Sequence, residues 1–374
     1  MRIAVNLLPF RKHLGGAGNY AKHMIHELAA IDRANEYILF VTRENAFHFE
    51  VDNSRFHLKY CSAAGISPLL RILWEQIVLP VQLIYCKTDI LFTPSVAIPV
   101  LFPGRMVTTI HDLAYLRIPR KYPFVRRWYV GTMTRCAVRR SQVVCTVSGF
   151  SRDEIISVFK LPPAKIIVTP NGVDDLFFQK VGDDLKHAVS AKYALPEKFI
   201  LYVGAVEPSK NIAELLTAFS EIRKSGYADV RLVITNSIRW SSHDIDRKIR
   251  QEHLEHCVIF LPYVDESELP ALYSLARFVV YLSDYEGFGL PVLEAMATGT
   301  PVLTSHAKAI SEFAQGIAVQ SNPFDRNELG KSFQQLLAHD LRPSLGDEGK
   351  MKASHYRWNM SAKLLYSTLI ELQR

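Results

Sequence analysis

Short apolar segments rich in β-branched residues alternate along this chain with segments whose apolar residues recur at helical spacing, a pattern that predicts βα units and a parallel sheet. In the first half the predicted strands are Ile3 to Leu8, Tyr37 to Val41, Ile90 to Thr93, Met106 to Ile110, Val143 to Val147 and Ile166 to Thr169. The alternation restarts with Phe199 to Val203, Arg231 to Thr235, Val258 to Phe260, Phe278 to Leu282 and Pro301 to Thr304. Two doubly wound sheets follow. Polar and charged residues interrupt the pattern within about 171 to 197, so one domain is expected over 1–175 and a second over 195–355. The last periodic segment, Ser361 to Leu372, follows the aromatic Tyr356 and Trp358. It predicts a closing helix, within about 356–374, that packs back on the first domain.

Composition agrees with two packed cores: 374 residues, 48% hydrophobic and 22% charged, are those of an ordinary globular protein and not of a disordered one. The start, MRIAVNLLP, lacks the basic and apolar regions of a signal peptide and reads as a buried first strand. Ile90 to Gly104 is too short for a span and contains three prolines, while Leu69 to Tyr85 is interrupted by Arg71, Glu75 and Pro80, so no transmembrane helix is predicted. Five scattered cysteines without metal-type spacing suit a reducing compartment, and the expected location is the cytoplasm.

Charge divides the chain. Residues 1 to 180 hold 23 Lys and Arg against 13 Asp and Glu, a balance of +10, whereas residues 181 to 374 hold 21 against 24. A basic first half points to an anionic partner surface. Its densest part is Arg117 to Arg140, which has eight basic residues and no acid, interleaved with Tyr122, Phe124, Trp128 and Tyr129. Cations and interfacial aromatics together suit an anionic membrane surface. A peripheral position on the inner face of the cytoplasmic membrane is therefore expected.

The most informative stretch for chemistry is YEGFGLPVLEAMATGTPVLT, Tyr285 to Thr304. A strand ends, Gly287 and Gly289 let the backbone turn, and Pro291 suits a first helical turn, so amides near Gly289 and Leu290 form an anion site at a helix N-terminus. Glu286 and Glu294 flank it, and charged acceptors of this kind make strong hydrogen bonds to sugar and ribose hydroxyls.

This stretch resembles the signature of the retaining, family 4 type glycosyltransferases. The shared features are two glutamates with seven residues between them, a glycine turn, and a helix ending in G-x-P-V. The resemblance implies a GT-B fold, α/β in class, with two Rossmann-like domains facing a cleft. It also implies donor contacts at Glu286, Gly287, Phe288, Gly289, Leu290 and Glu294. YVGAVEPSKN, Tyr202 to Asn211, resembles the family's phosphate segment, with Lys210 matching the lysine at the donor diphosphate. Ala205 stands where many relatives have Arg, so one cation expected there is missing or comes from elsewhere.

In the first half, GGAGNY, Gly15 to Tyr20, resembles a G-G-x-x segment, with Gly16 near phosphate; T-I-H-D-L assigns His111 to the donor sugar. VIFLPYVDESELPALY resembles the segment that flanks the nucleobase, placing Tyr263 and Val264 beside it. The implied reaction transfers a hexose with retention from a nucleotide-diphosphate sugar to a saccharide or lipid-linked saccharide, with His111, Glu286 and Lys210 as catalytic residues. Trp74 to Pro80 is similar to segments of bacterial surface-polysaccharide assembly, which makes mannose, from GDP-mannose, the expected sugar; a UDP-sugar is the alternative. No cofactor beyond this co-substrate is expected, and no metal. The one D-x-D, Asp244 to Asp246, lies among Arg247, Lys248 and Arg250 and reads as a solvated helix pair.

Two rival readings stay open at this point. A nucleotide-sugar epimerase could use the same scaffold. A basic nucleic-acid-binding protein is the other, although no recognisable module supports it and no nucleic-acid partner is expected.

Overall fold

The computed structural model describes residues 1–61, 67–235 and 242–373. The chain forms two compact units, one of residues 1–172 with 357–374 and the other of residues 173–356.

The first unit is built on a parallel sheet of strands β1 (Arg2–Asn6), β2 (Glu36–Val41), β3 (Phe56–Tyr60), β4 (Ile90–Thr93), β5 (Arg105–Thr109), β6 (Val143–Thr146) and β7 (Ile166–Val168), in the order β3-β2-β1-β4-β5-β6-β7. Central strands are buried on both faces, as a sheet with helices on each side requires; all four residues of β4 are buried. The exception is the edge strand β3, whose FHLKY sequence is at most half-buried. Its mixed polarity hides it from a search for apolar runs.

The second unit repeats the plan with β8 (Phe199–Tyr202), β9 (Arg231–Ile234), β10 (Val258–Phe260), β11 (Val279–Tyr281), β12 (Val302–Thr304) and β13 (Val319–Gln320), ordered β10-β9-β8-β11-β12-β13. The strand β13, two residues at the sheet edge, is also beyond the sequence pattern.

In each sheet the strand order reverses once, between β1 and β4, paired through Ile3 and Ile90, and between β8 and β11, paired through Leu201 and Val279. Loops leaving the carboxyl ends of such strands diverge, which opens the crevice where ligands of open α/β sheets bind. Gly15 and Gly16 follow β1, Pro94 follows β4, and His111 lies just beyond β5. In the second sheet Lys210 follows β8, and Glu286 to Gly289 follow β11.

The closing helix, Trp358–Glu371, packs on helix Gly16–Ile31 within the first unit. Trp358 is buried and stacks on His23 with ring centroids 4.5 Å apart, and the Ser361 hydroxyl donates to the Pro170 carbonyl at 2.6 Å. This approach requires glycine at position 172. A Cβ there would lie 2.2 Å from the Trp358 backbone nitrogen.

Candidate functional site

Two loops of the second unit are clipped together at the carboxyl ends of β8 and β11. The Ser209 carbonyl accepts from the Asp284 amide and the Ser283 hydroxyl, both at 3.1 Å. Asn211, in the left-handed region with φ 53°, donates through its side chain to the Leu282 carbonyl at 2.8 Å and to Asp284 at 2.6 Å. Asparagine is among the few residues that adopt this conformation readily, so the turn that presents Lys210 is locally encoded.

Lys210, buried, donates to Glu286 Oε1 and, at 2.8 Å, to the Tyr281 hydroxyl, which in turn donates to Glu286 Oε1 at 2.8 Å. Burial disfavours both charges, but each is outweighed by the other: the Lys210 ammonium is held above its ordinary pKa and the Glu286 carboxyl below its own. Both are ionised at neutral pH. Tyr202 lies under Tyr281, with ring centroids 6.0 Å apart, and donates to the Ala205 carbonyl at 2.8 Å. The residue that replaces the expected arginine thus takes part through its backbone.

Next to this group, helix Leu290–Thr298 starts at Gly289, whose φ is +106°. A Cβ at Gly289 would also lie 2.6 Å from the Ile310 side chain, so both conformation and space demand glycine. The Val292 amide donates to the Gly289 carbonyl at 3.1 Å, and the amides of Gly289 and Leu290, which open the helix, can serve as donors for an anion at the positions read from sequence. Phe288 is buried beneath the turn against Phe313 and Tyr356. It supports the loop from inside.

Glu294, one turn into the helix, accepts from the buried Tyr273 hydroxyl at 2.7 Å through Oε2. Burial pushes its carboxyl up to about 7, against the opposing effect of that hydrogen bond. Among the other donor-site residues expected from sequence, Val264 is buried and Tyr263 is half exposed in the loop after β10.

In the first unit, His111 Nε2 lies 3.0 Å from the Pro94 carbonyl, and its ring meets Tyr20 edge-on at 5.1 Å. A carbonyl can only accept, so Nε2 carries the proton; burial lowers the imidazole pKa, and Nδ1 is left as an acceptor in the neutral ring. Gly16 is the first residue of helix Gly16–Ile31 and is exposed, and a Cβ there would meet nothing within 4 Å. Protein packing alone therefore does not require glycine at this helix N-terminus.

The structure unites Lys210, Glu286 and Gly289 and adds Tyr281, Tyr202 and Tyr273, which sequence reasoning missed. Tyr202 and Tyr281 end buried strands and read as core residues; only their last-in-strand positions mark them. Asp244 of the D-x-D lies on helix Ser242–Gln251 and is ion-paired with Arg247 one turn on.

A parallel sheet in each unit, both with a loop-lined switch point, is the architecture of the GT-B class, to which the following likenesses assign the chain. Residues 14–175 match the model of glycosyltransferase family 4, and residues 186–350 that of the glycosyl transferases group 1. The chain is 30% identical over 256 residues to the O-antigen chain mannosyltransferase B of Escherichia coli, covering 68% of this chain and 67% of that protein. It is also 30% identical over 263 residues to the MMP alpha-(1->4)-mannosyltransferase of Mycolicibacterium hassiacum, covering 66% of this chain and 60% of that one. Among solved structures, sucrose-phosphate synthase of Thermosynechococcus elongatus superposes with a TM-score of 0.80 at 19% identity, over 100% of this chain and 99% of that one, a likeness of fold. The chain belongs to the family 4, group 1 glycosyltransferases. The epimerase and nucleic-acid readings are thereby set aside.

Proposed function

We propose that this glycosyltransferase moves a mannosyl residue from GDP-mannose to a saccharide or lipid-linked saccharide acceptor in the assembly of a bacterial surface polysaccharide, with retention at the anomeric carbon and without a metal. The observation that carries the reading is the buried Lys210–Tyr281–Glu286 group beside the helix start at Gly289. The two mannosyltransferase relatives support the choice of sugar.

In this reading the departing diphosphate gathers charge, and the Lys210 ammonium and the amides at Gly289 and Leu290 stabilise it from fixed positions, the kind of preorganised electrostatic contribution that dominates many enzymes. Glu286, held ionised by Lys210, accepts from hydroxyls of the transferred sugar. Glu294 has Oε2 engaged by Tyr273 and uses its other oxygen for a ribose hydroxyl. Backbone around Tyr263 and Val264 flanks the base, Gly16 lies near phosphate, and neutral His111 offers Nδ1 to the donor sugar.

The enzyme acts in the cytoplasm with its first unit on an anionic membrane face. Helix Phe124–Arg140 supports this: Arg126, Arg135 and Arg139 are exposed beside Phe124 and Trp128, which stand 82% and 66% exposed instead of filling the core. Of the eight basic residues, Arg117 is ion-paired with Glu154, Arg140 makes a 2.6 Å hydrogen bond to the Phe102 carbonyl, and Arg126 lies over the Tyr122 ring at 5.3 Å. Among the described residues no helix is long and apolar enough to cross a membrane.

Calorimetric titration with GDP, UDP and ADP tests the donor assignment. GDP is expected to bind tightest, and a preference for UDP or ADP would refute it.

A further inference from the structure

Between β3 and β4 the chain runs through three consecutive helical segments, Pro68–Leu73, Trp74–Val78 and Leu79–Tyr85, the middle one a π turn. The junction residues Leu73, Trp74, Val78 and Leu79 all have right-handed helical backbone, so the segments read as one continuous helix. Along it, Glu75, Leu79 and Leu83 are buried, whereas Leu69, Leu73, Ile77, Val81, Ile84 and Tyr85 are exposed. Ile77 is 62%, Val81 65% and Tyr85 85% exposed.

Glu75, Leu79 and Leu83 recur every fourth residue, as do Leu69, Leu73, Ile77, Val81 and Tyr85, and the π turn helps to explain how such a repeat keeps to one face. In an α-helix each four-residue step overshoots a full turn by about 40°, so a four-residue stripe winds around the axis. A π turn, with its i to i+5 bonding, takes more residues per turn and takes back part of that drift. The result is a straight apolar ridge facing away from the core. The exposed stripe contains no charged residue.

This ridge adjoins the basic helix. Leu79 and Leu83 share one buried cluster with Ala137 of helix Phe124–Arg140 and with Ala4, Leu91 and Met106 of the sheet, so the two helices cover the same sheet face. Tyr129 of the basic helix is also close enough to Arg71 and Glu75 to feel their charges. The loop between β4 and β5 ties in on both sides: Gln76 bonds the Ile98 carbonyl at 2.8 Å and the Val100 amide at 3.0 Å, and Arg140 bonds the Phe102 carbonyl. That loop adds Leu101, 73% exposed.

We infer that the Leu69–Tyr85 ridge inserts into the acyl region of an anionic bilayer while the neighbouring arginines hold its headgroups. The argument for a bilayer, and against a second copy or a protein partner, is charge complementarity: an uncharged apolar ridge stands beside an acid-free basic helix with exposed aromatics, the pairing that interfacial helices use. The inference rests on the membrane reading above and sharpens it. Arginines alone give attachment that salt reverses, whereas an inserted ridge gives a component that salt does not remove.

Co-sedimentation of the full chain with phosphatidylethanolamine vesicles containing phosphatidylglycerol tests this, with neutral phosphatidylcholine vesicles as control. Wild type is expected to bind the anionic vesicles at low salt and to stay partly bound in about 1 M NaCl, where the Debye length falls to about 3 Å. Because Ile77 and Val81 are exposed, Ile77→Ser with Val81→Ser should fold. It should still bind at low salt yet be washed off completely, with more than about a tenfold loss in partitioning. Arg126→Gln with Arg139→Gln should instead lose the initial capture.

Unchanged salt-resistant binding in the ridge variant would overturn the inference while leaving the basic docking intact. So would a wild-type dimer that the ridge variant converts to monomer without change in vesicle binding. No binding of wild type to anionic vesicles would overturn both readings.

Discussion

The Tyr281 hydroxyl bridges Lys210 and Glu286, which are themselves in direct contact, accepting a hydrogen bond from the ammonium and donating one to the carboxylate, each at 2.8 Å. It orients both charges without carrying one. Tyr281→Phe keeps the ring on Tyr202 and removes the orientation, leaving two buried charged groups short of a partner at a cost of about 1–3 kcal/mol. The expected outcome is a fall in kcat/KM of roughly tenfold or more, with a melting temperature lowered by a few degrees. Wild-type kcat/KM in this variant would show that the hydroxyl positions nothing.

Lys210 and Glu286 should behave as a unit. Removing one partner of a buried ion pair strands the other charge, so Lys210→Met and Glu286→Gln should each destabilise the second unit by about 3–5 kcal/mol. The double variant should be destabilised by clearly less than the sum, with a coupling of at least about 1 kcal/mol in thermal unfolding. Additive losses would mean that the pair is not coupled. Both single variants should also lose turnover, since neither the diphosphate nor the sugar would meet its fixed charge.

The carboxyl of Glu294 gives a pH signature. Its folded pKa is raised from 4.5 to about 7, so between those values the folded protein holds a proton that the unfolded chain has released. This group's contribution to stability is present below pH 4.5 and is lost as pH rises through 7. Donor binding should run the other way, because the ionised carboxylate is the better acceptor for a ribose hydroxyl. GDP affinity is expected to rise by about tenfold between pH 6 and pH 8 and to become nearly flat in Glu294→Gln. An equal slope in that variant would remove Glu294 from the ribose contact.

Much of the fold was legible in the sequence because its central strands are buried on both faces and appear as unbroken apolar runs. Ile90 to Thr93 and Phe278 to Leu282 are examples. The edge strands Phe56–Tyr60 and Val319–Gln320 were not legible, since a half-exposed or two-residue strand leaves no such run. In the candidate site, the charged and glycine residues stood out because their types are costly in a turn or a core without a reason. The tyrosines did not. Tyr202, Tyr273 and Tyr281 are ordinary core aromatics by pattern, and only the structure reveals hydroxyls aimed at the Ala205 carbonyl, Glu294 and Glu286. The ridge at Leu69 to Tyr85 was missed for a related reason: the sequence offered Arg71, Glu75 and Pro80 as interruptions, and the structure turns Glu75 and Pro80 inward.

The central claim, retaining transfer from GDP-mannose, is tested most directly by incubating the protein with GDP-mannose or with UDP-glucose and a lipid-linked saccharide acceptor. Nucleotide release and the anomeric configuration of the product would be followed by NMR. The account predicts GDP release that depends on acceptor, an α-mannosyl product from the α-linked donor, and loss of both in Glu286→Gln. A β-linked product, or acceptor-dependent release of UDP with none of GDP, would contradict it.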